Sequence, residues 1–539
     1  MKIKSSIALH LIAIVALSLL NLSFAYAQQR RKIFIEHADL MRNLKKDGVE
    51  IRRLIGNVVI RHDDITMKCD SAYEFVGSNR FDAFGKVIVI QEDTRLYGDT
   101  LHYDGNSKTG RVRGKIVRLV EKDAELVTKF LDFNTQENTA YFYGGGIITS
   151  EDSKFSCERG VYYSRRKQFA FSGDVAYLNP DLLLNTDSLT YITDLELIFF
   201  FGPTRIYSKD NFIFCENGWH NRNEQESEFQ INAYIDNGKQ QIFGERIFSS
   251  NKTGYSQVTG RGCLVDSTRN LRIFGDTINY FDNENYSEVK NNPLAFSISD
   301  EGDSLYLRAD LFLAISVEDT LNIDNSYDLL QGIGNVKFHR KDFQGICDSM
   351  VYHSTDSILH MYYNPVIWNE DNQLSANYIN FKFKDEMIYR MNFIGSSFIC
   401  SQEDSTRFNQ IKGRDMIGFF AGGRLYKLDV EGNAETVYFA RDKGILTAVN
   451  RAEGSRLSIN LKDNKVRSIM FKEKPVATLF PLDKAEPEDV FIRGFTWHID
   501  KRPAISVIIP KGLNIDFYFP IQEKAKLYRD KRKNPDDSL

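Results

Sequence analysis

One copy of the pattern that organises this chain is Arg95-Leu96-Tyr97-Gly98-Asp99-Thr100-Leu101-His102-Tyr103. Its central residue marks each unit, and the equivalent marks are Asp70, Asp99, Lys129, Glu158, Asp187, Glu216, Glu245 and Asp276. The step from Asp70 to Asp99 is repeated almost unchanged between all later marks. A glycine follows several marks at one fixed distance, at Gly85, Gly114, Gly173, Gly202 and Gly260, and we interpret it as the turn at the other end of the strand. A period of this size, repeated over so many units, predicts stacked structural repeats.

Apolar and polar residues alternate within each unit. Before the mark the apolar residues lie at odd offsets, as Leu96 and Leu184 do, and after it they lie at even offsets, as Leu101 and Leu189 do. Alternation with a period of two predicts half-buried β-strands. The change of parity would move every side chain to the other face, so each strand needs a bulge or corner at the mark. The pattern therefore predicts an all-β fold of stacked, bent antiparallel strands around an apolar interior, with about two strands per unit.

The composition suits a folded, β-rich protein. Of 539 residues, 42% are hydrophobic and 13% aromatic, and 11 are proline, which provides enough material for a core and for more than one domain. The formal net charge is −4 at pH 7, so the chain lacks the excess of basic residues that nucleic-acid-binding proteins use. We therefore expect no nucleic-acid partner.

The N-terminal residues predict export. Lys2 and Lys4 precede an apolar run, Ile7 to Leu20, and the small residues Ala25 and Ala27 follow it. This order is typical of a cleaved signal peptide, which we place at residues 1–27. The alternative is an uncleaved anchor helix, for which the apolar run is short. Because no cysteine precedes Cys69, we do not expect a lipid-anchored protein.

The rhythm of the repeats predicts several modules. The first spans residues 28–299, and a second spans 300–404, where Gly334 precedes Asp348 by the same step as Gly56 precedes Asp70. A C-terminal β-rich module is expected over 405–522, followed by a loose charged tail over 523–539. The pairs Asn292-Pro293 and Asn364-Pro365 lie at equivalent places after a mark and predict equivalent turns. No helical pattern is expected after the signal peptide.

The recurring acids could be catalytic or structural. Enzymes that act on glycans use paired carboxylates as acid and base, but here an acid occurs in nearly every unit, whereas a catalytic pair is a local exception. An acid followed by Ser or Thr can instead accept hydrogen bonds from exposed backbone N–H groups at a corner. The nine histidines show no metal-ligand spacing. We therefore predict no catalytic residue, no metal site and no cofactor.

The cysteines also follow the repeat. Four of the six occupy the position just before a mark, namely Cys69, Cys157, Cys215 and Cys347. Equivalent positions in a stack are separated by whole repeats, a distance that a disulfide does not span. These cysteines are expected to be small buried apolar residues.

The interior itself allows two interpretations. An apolar face of Leu, Ile, Phe and Tyr can close as a dry core, or it can stay open as a groove that takes acyl chains. Periodicity alone favours the dry core.

The units nevertheless resemble a known family. The resemblance is seen in the segments Leu96–Tyr103, Leu184–Tyr191 and Cys347–Tyr352, and in the steps Gly85-Lys86-Val87 and Gly173-Asp174-Val175 between them. They resemble the OstA-like family, the LptA and LptD N-terminal β-jellyroll group of lipopolysaccharide transport. The resemblance covers residues 32–292 well and 332–369 in part. The later stretches Phe408–Gly413 and Gly494–Trp497 are similar to the long OstA-like proteins of Bacteroidetes-type bacteria.

This resemblance implies an elongated, partly open β-jellyroll whose interior holds the acyl chains of lipid A. By pattern position, the implied lining residues are Leu96, Leu101, Phe155, Leu184, Leu189, Ile213, Ile273 and Ile278. The implied partners are lipopolysaccharide and, through edge strands, other β-jellyroll proteins of lipopolysaccharide transport or further copies of this chain. The implied location is the periplasm, free or docked at the outer membrane.

Three functions are thus weighed. The first is an exported lipopolysaccharide carrier in outer-membrane assembly. The second is a structural β-solenoid, a scaffold or surface protein with a sealed core. The third is a glycan-active β-helix enzyme, which would lose activity when single acids such as Asp99 are changed.

Overall fold

The computed structural model describes residues 32–531, apart from 47, 123, 151, 268–269, 299–302, 318–326, 385–386, 423 and 463–464. The signal peptide expected at residues 1–27 and the end of the charged tail lie outside the described residues. The chain divides between Asp194 and Leu195 into two compact units. The module boundaries expected at residues 300 and 405 both fall within the second unit, and they stay predictions.

The first unit is built from strands. They are β1 (Phe34–His37), β2 (Leu40–Lys46), β3 (Val49–His62), β4 (Ile65–Phe75), β5 (Arg80–Gln91), β6 (Thr94–Asp104), β7 (Thr109–Glu121), β8 (Ala124–Asn134), β9 (Thr139–Thr149), β10 (Lys154–Tyr163), β11 (Gln168–Leu178) and β12 (Leu182–Ile192). From β3 to β12 each strand pairs antiparallel with the next. Strands β1 and β2 both pair with β3.

The second unit continues in the same way. Its strands are β13 (Leu197–Ser208), β14 (Phe212–Asn221), β15 (Glu226–Asp236), β16 (Gln240–Ser250), β17 (Tyr255–Asp266), β18 (Leu271–Phe281), β19 (Tyr286–Lys290), β20 (Leu294–Ile298), β21 (Ser304–Arg308), β22 (Leu311–Val317), β23 (Tyr327–Arg340), β24 (Phe343–His353), β25 (Ile358–Tyr362), β26 (Val366–Asn369), β27 (Asn372–Ser375), β28 (Tyr378–Lys384), β29 (Met387–Gln402), β30 (Phe408–Ala421), β31 (Arg424–Asp442), β32 (Ile445–Lys462), β33 (Lys465–Lys472) and β34 (Val476–Pro481). Its helices are α1 (Pro487–Val490), α2 (Ile505–Ile508) and α3 (Phe519–Arg529). The expected all-β fold of stacked, bent antiparallel strands is confirmed.

The bend at Asp99 is a β-bulge opposite the mark. Between β5 and β6, Phe84 pairs with Thr100 and Val87 with Gly98, so Gly85 and Lys86 together oppose Asp99. Both bulge residues have left-handed backbones, with φ of +76° and +45°, and glycine adopts this conformation without steric cost. Strand β5 keeps one parity through the bulge, since Phe81, Ala83, Val87 and Val89 are all buried, whereas β6 changes parity between Leu96 and Leu101. The bend predicted at the mark is confirmed, but Gly85 lies within the bend, so the prediction that this glycine is a turn at the other end of the strand was wrong.

The acid of one strand packs against the bulge of the next strand. A Cβ atom added at Gly85 would lie 2.6 Å from Oδ2 of Asp70, and one at Gly260 would lie 2.7 Å from Oε2 of Glu245. This contact explains the constant spacing between an acid and its glycine. At the Asp99 corner the carboxylate also accepts a hydrogen bond from the Lys115 backbone N–H at 2.9 Å. The expected structural role of the acid is confirmed at that corner.

The apolar core of the first unit lies between the two halves of the bent strands. Phe155 precedes the corner of β10, yet its ring lies 5.2 Å from those of Phe171 and Tyr191, which belong to the other halves of β11 and β12. Next to the bend the halves approach so closely that a Cβ at Gly98 would lie 2.3 Å from Cγ1 of Val112. The interior is therefore a wedge, narrow at the corner and wider toward the strand ends.

Two bends of the second unit lie opposite a two-residue turn that separates two short strands. Strand β18 pairs with β19 in one half and with β20 in the other, and Asn291 and Asn292 between them have φ of +58° and +63°. Tyr363 and Asn364 have φ of +63° and +56° between β25 and β26. Asparagine tolerates this backbone region better than most residues. The turns expected before Pro293 and Pro365 are confirmed.

The C-terminal part of the chain differs from expectation. Strands end at Pro481, and residues 482–531, which we call the strap, run back over the outer face of the second unit as loops and short helices. The predictions of a β-rich module to residue 522, of a loose tail from 523 and of no helix were wrong for the described residues. Helix α3 forms because Ala525 is buried against the sheet, and packing stabilises a short helix more than its own propensity does.

Buried glutamines hold the strap in place. The Gln373 amide donates to the carbonyl of Thr496 at 2.8 Å and accepts from the N–H of His498 at 2.7 Å. Gln410 pairs in the same way with the carbonyl of Val490 and the N–H of Ile492. Both amides thus satisfy backbone groups that would otherwise be buried without partners. Among the residues described, no helix is long and apolar enough to span a membrane.

Candidate functional site

One row of side chains crosses the inner face of the first unit, on the strand halves that precede the marks. Successive strand pairs place these residues opposite one another: Ile60, Met67, Val89, Leu96, Leu119, Leu126, Ile148, Phe155, Tyr177 and Leu184. All of them are buried. In the first unit this row is part of a filled core.

Across strands β14 to β20 of the second unit the equivalent row is not filled, whereas Ile206 of β13, opposite Ile213, is buried. The members of the row on strands β14 to β20, which we call the open row, are Ile213, Ile235, Ile242, Leu264, Ile273 and Ala295. Every one of them is only half-buried. Six aligned aliphatic side chains that keep partial contact with water form a continuous apolar surface across strands β14 to β20.

The glycines beside the bend show which way the open row faces. A Cβ at Gly275 would lie 2.4 Å from Cγ1 of Val289, and one at Gly244 would lie 2.5 Å from Cγ1 of Val258. These glycines therefore point at the other strand halves, and side chains at alternate positions of the same strand point the same way. The open row lies on the inner face, opposite the buried residues Val258, Ile278 and Val289.

The outer face of the same strand halves is covered. Its aromatic residues Phe214, Tyr234, Phe243 and Phe274 are buried in one cluster with Ile508, Tyr518 and Ala525 of the strap. The Tyr518 ring lies 5.1 Å from that of Phe243. This part of the second unit is therefore sealed outside by the strap and partly open inside, which is the reverse of an ordinary half-buried sheet.

Polar contacts close the wide side of the first unit. The tips of the two strand halves are joined by Lys108 and Asp63, whose Nζ and Oδ2 atoms lie 2.7 Å apart. Lys167 and Glu121 form a second pair at 2.9 Å. The hydrogen bond to Glu121 raises the pKa of the Lys167 ammonium, so Lys167 is charged at neutral pH. These contacts agree with the full burial of the row behind them.

All eight residues that the sequence assigned to the lining lie on inner faces. Leu96, Phe155 and Leu184 belong to the buried row of the first unit, and Leu101 and Leu189 face them from the other strand halves. In the second unit Ile278 is buried, whereas Ile213 and Ile273 belong to the open row. Whether any of these side chains contacts a lipid stays a prediction.

Four members of the open row were not predicted from the sequence. Ile235 and Leu264 follow the marks Glu216 and Glu245 by the same step as Val89 follows Asp70, and that spacing could have identified them. Ile242 precedes Glu245 as Leu96 precedes Asp99, but it lies in a unit whose pattern is degraded. Ala295 is too small to stand out in an apolar pattern.

The corner acid Glu216 takes part in hydrogen bonds, and the cysteine thiols are buried. Burial alone would raise the pKa of Glu216, but hydrogen bonds from Lys524 and Asn232, with the charge of Lys524, together outweigh burial and lower that pKa. Burial raises the pKa of the Cys69 thiol to about 11, so this thiol is protonated and a poor nucleophile at neutral pH. All six cysteines are buried thiols outside disulfides. No group of three or more His, Cys, Asp or Glu in the described part of the chain is arranged to hold a metal ion.

Comparison with known proteins gives a family match for the N-terminal part. Residues 30–187 match the family model described as OstA-like protein. No curated protein matches the chain significantly. Among solved structures, one similar chain is LptH, the LptA homologous periplasmic component of the lipopolysaccharide transport device of Pseudomonas aeruginosa. It shares 20% identity over 20% of this chain and 82% of its own length, with a TM-score of 0.19.

Proposed function

We propose that this chain, whose residues 30–187 are OstA-like, is an exported carrier that holds the acyl chains of lipopolysaccharide in its apolar interior. The observation that carries the proposal is the open row of the second unit. Its six aliphatic side chains are aligned, face inward and remain half-buried. Monomeric proteins seldom leave such a continuous apolar surface in contact with water unless something binds there.

The energetics suit an acyl chain. Burying one CH₂ group stabilises a complex by about 0.8 kcal/mol, and a chain laid across several strands would bury many. No polar recognition is needed for that part of the ligand, so a face of Ile, Leu and Ala is sufficient. The sugar head would stay in water outside the wedge, and the protein would carry its lipid through the periplasm toward the outer membrane.

The free edge of the first unit supports partners that add a β-strand to it. Strands β1 and β2 both pair with β3, and the described residues provide no strand on their other side. Phe34, Leu40, Met41 and Leu44 on these strands are exposed. An apolar, unpaired edge can be extended by another strand. The partner would be another β-jellyroll protein of lipopolysaccharide transport or a second copy of this chain.

One observation favours the structural scaffold as a second candidate function. The inner row of the first unit is completely buried, and Lys108–Asp63 and Lys167–Glu121 join the strand tips in front of it. A protein with a purely structural role would have a fully buried inner row in both units. A catalytic role has less support, because the corner acids pack on glycines of neighbouring bulges instead of facing one another.

Photocrosslinking in cells tests the carrier function. Strand β17 offers a matched pair: Leu264 belongs to the open row, whereas Thr259 is equally half-buried on the outer face. A photoreactive amino acid at position 264 should give a lipopolysaccharide adduct, and one at position 259 should give none. Absence of the adduct at position 264 in folded protein would overturn the carrier function and favour the scaffold. Equal adducts at both positions would show surface association and also overturn it.

A further inference from the structure

A cavity opens on the outer face of the first unit, at the corner shared by β8, β9 and β10. Its volume is about 720 Å³, within the usual range for ligand pockets. The residues that line it include Asp132, Tyr141, Tyr143, Gly145, Glu158 and Arg159. The buried Cys157 also lines it, whereas the open row does not contribute to it.

The cavity lies at a corner whose mark is not an acid. Lys129 stands where other units have Asp or Glu, and it opposes Gly144 and Gly145 in the ladder. At other corners the carboxylate fills the space over the bulge glycine. Here a Cβ at Gly144 would meet the Phe130 ring, at 2.9 Å, and no carboxylate of the described residues. The Phe130 ring therefore lies where an acid side chain lies at those corners, and the cavity opens beside it.

Three aromatic rings form a platform beside this opening. Phe130 and Tyr143 are stacked with their centroids 5.2 Å apart, and Tyr141 stacks on Tyr143 at 5.5 Å. Phe130 is 38% exposed and Tyr141 39% exposed. These rings point away from the core, since Leu131 and Phe142 beside them in sequence are the buried residues. Exposed aromatic rings gathered in this way are typical of a binding surface.

Charged groups of both signs border the rings. The Arg113 guanidinium lies over Phe130 and Tyr143, donates to the Tyr143 hydroxyl at 2.8 Å and pairs with Asp132 at 2.7 Å. Arg159 and Glu158 lie on the opposite side of the cavity. These guanidinium and carboxylate groups give the site both hydrogen-bond donors and hydrogen-bond acceptors.

We propose that this cavity binds a saccharide chain. The C–H faces of sugar rings pack on aromatic faces, and hydroxyl groups need donors and acceptors together, which arginine and carboxylate side chains supply. The sugar would come either from a lipid-linked glycan or from a free polysaccharide, and this site does not depend on the proposed lipid carriage.

Titration of the purified full-length protein with two probes tests the proposal. One is the lipid-free polysaccharide released from lipopolysaccharide by mild acid, and the other is chitotetraose; calorimetry and saturation-transfer NMR report binding. We expect Tyr141→Ala to weaken binding at least tenfold, whereas Tyr280→Ala, which removes a similarly exposed ring of the second unit, should leave it unchanged. If Tyr141→Ala disturbs folding, Arg159→Gln replaces it, since it removes a hydrogen-bond donor from the rim without removing a ring.

Each outcome has a defined meaning. Binding of the released polysaccharide alone identifies a lipid-linked source, and binding of chitotetraose identifies a free glycan; both support the site. Failure of both probes, or equal binding by the wild type and the cavity variants, overturns it. Crosslinking at position 264 is unaffected by these variants, so failure here does not decide the carrier function.

Discussion

Replacing Gly85 with alanine should destabilise the protein more than replacing Gly77 with alanine. Both glycines belong to the β4–β5 hairpin, and their φ angles are similar, +76° and +82°. They differ in what a side chain would meet. A Cβ at Gly77 has nothing within 4 Å, whereas one at Gly85 would lie 2.6 Å from Oδ2 and 3.0 Å from Cβ of Asp70. The comparison isolates the contact between a corner acid and its glycine.

The expected losses in the free energy of unfolding follow from these distances. The left-handed backbone costs a non-glycine residue about 1–2 kcal/mol, and this cost applies equally to both variants. Forcing a methyl group into a filled space adds about 1–3 kcal/mol, and this cost applies only at Gly85. We therefore expect Gly77→Ala to lower the free energy of unfolding by about 1–2 kcal/mol and Gly85→Ala by about 2–5 kcal/mol.

Urea denaturation followed by far-ultraviolet circular dichroism measures both variants. The double variant Gly85→Ala/Asp70→Ala completes a double-mutant cycle. Removing the carboxylate should recover about 1 kcal/mol or more of the loss caused by the added methyl group. Equal losses at Gly77 and Gly85, or no recovery in the double variant, would refute the packing of the acid on the bulge as the cause of the constant acid-to-glycine spacing.

Three further predictions concern the strap and the core. Gln373→Ala should increase the rate at which a protease cleaves the strap. Two strap backbone groups lose their hydrogen-bond partner, and each loss costs about 1–3 kcal/mol. As the control, Gln136→Ala, at an exposed position, should not change the cleavage rate. The pKa of Glu216 is lowered by Lys524, so their pair stabilises the strap above the ordinary glutamate pKa, about 4.3, and that stability is lost as pH falls through the lowered value. Anisotropy of a dye on helix α3 should fall in acid, and Glu216→Gln should remove this step; an unchanged step would contradict the assignment. Phe155→Ala should cost about 3–5 kcal/mol in denaturation of the first unit, and a loss below about 1 kcal/mol would show that this ring is not a filled part of the core.

The sequence predicted the corner and the inner face because both depend on local geometry. A parity change at Asp99 requires a bulge whatever surrounds it, and Gly85 on the preceding strand supplies the bulge opposite that acid. The same rule placed Leu96 and Leu101 on the inside. Even the half-buried members Ile213 and Ile273 lie on the face that the rule assigns to them.

The strap could not be predicted in this way. Residues after Pro481 lack a period of two, and the apolar residues of helix α3 make too weak a pattern to indicate a helix in isolation. The helix forms because aromatic residues such as Phe243 and Phe274 present an apolar outer face, which Tyr518 and Ala525 cover. Such a match between distant segments cannot be read from either segment.

By itself the sequence determined the all-β class, the bend at each mark and the face of each side chain, since alternation and bulge chemistry act over short stretches of chain. Only the tertiary structure decided which part of the interior is filled. Leu184 and Ile273 have the same place in the pattern, yet the first is buried and the second is half-buried. The difference depends on how closely opposing strand halves approach, and on what covers their outer face, and these are properties of the assembled sheets.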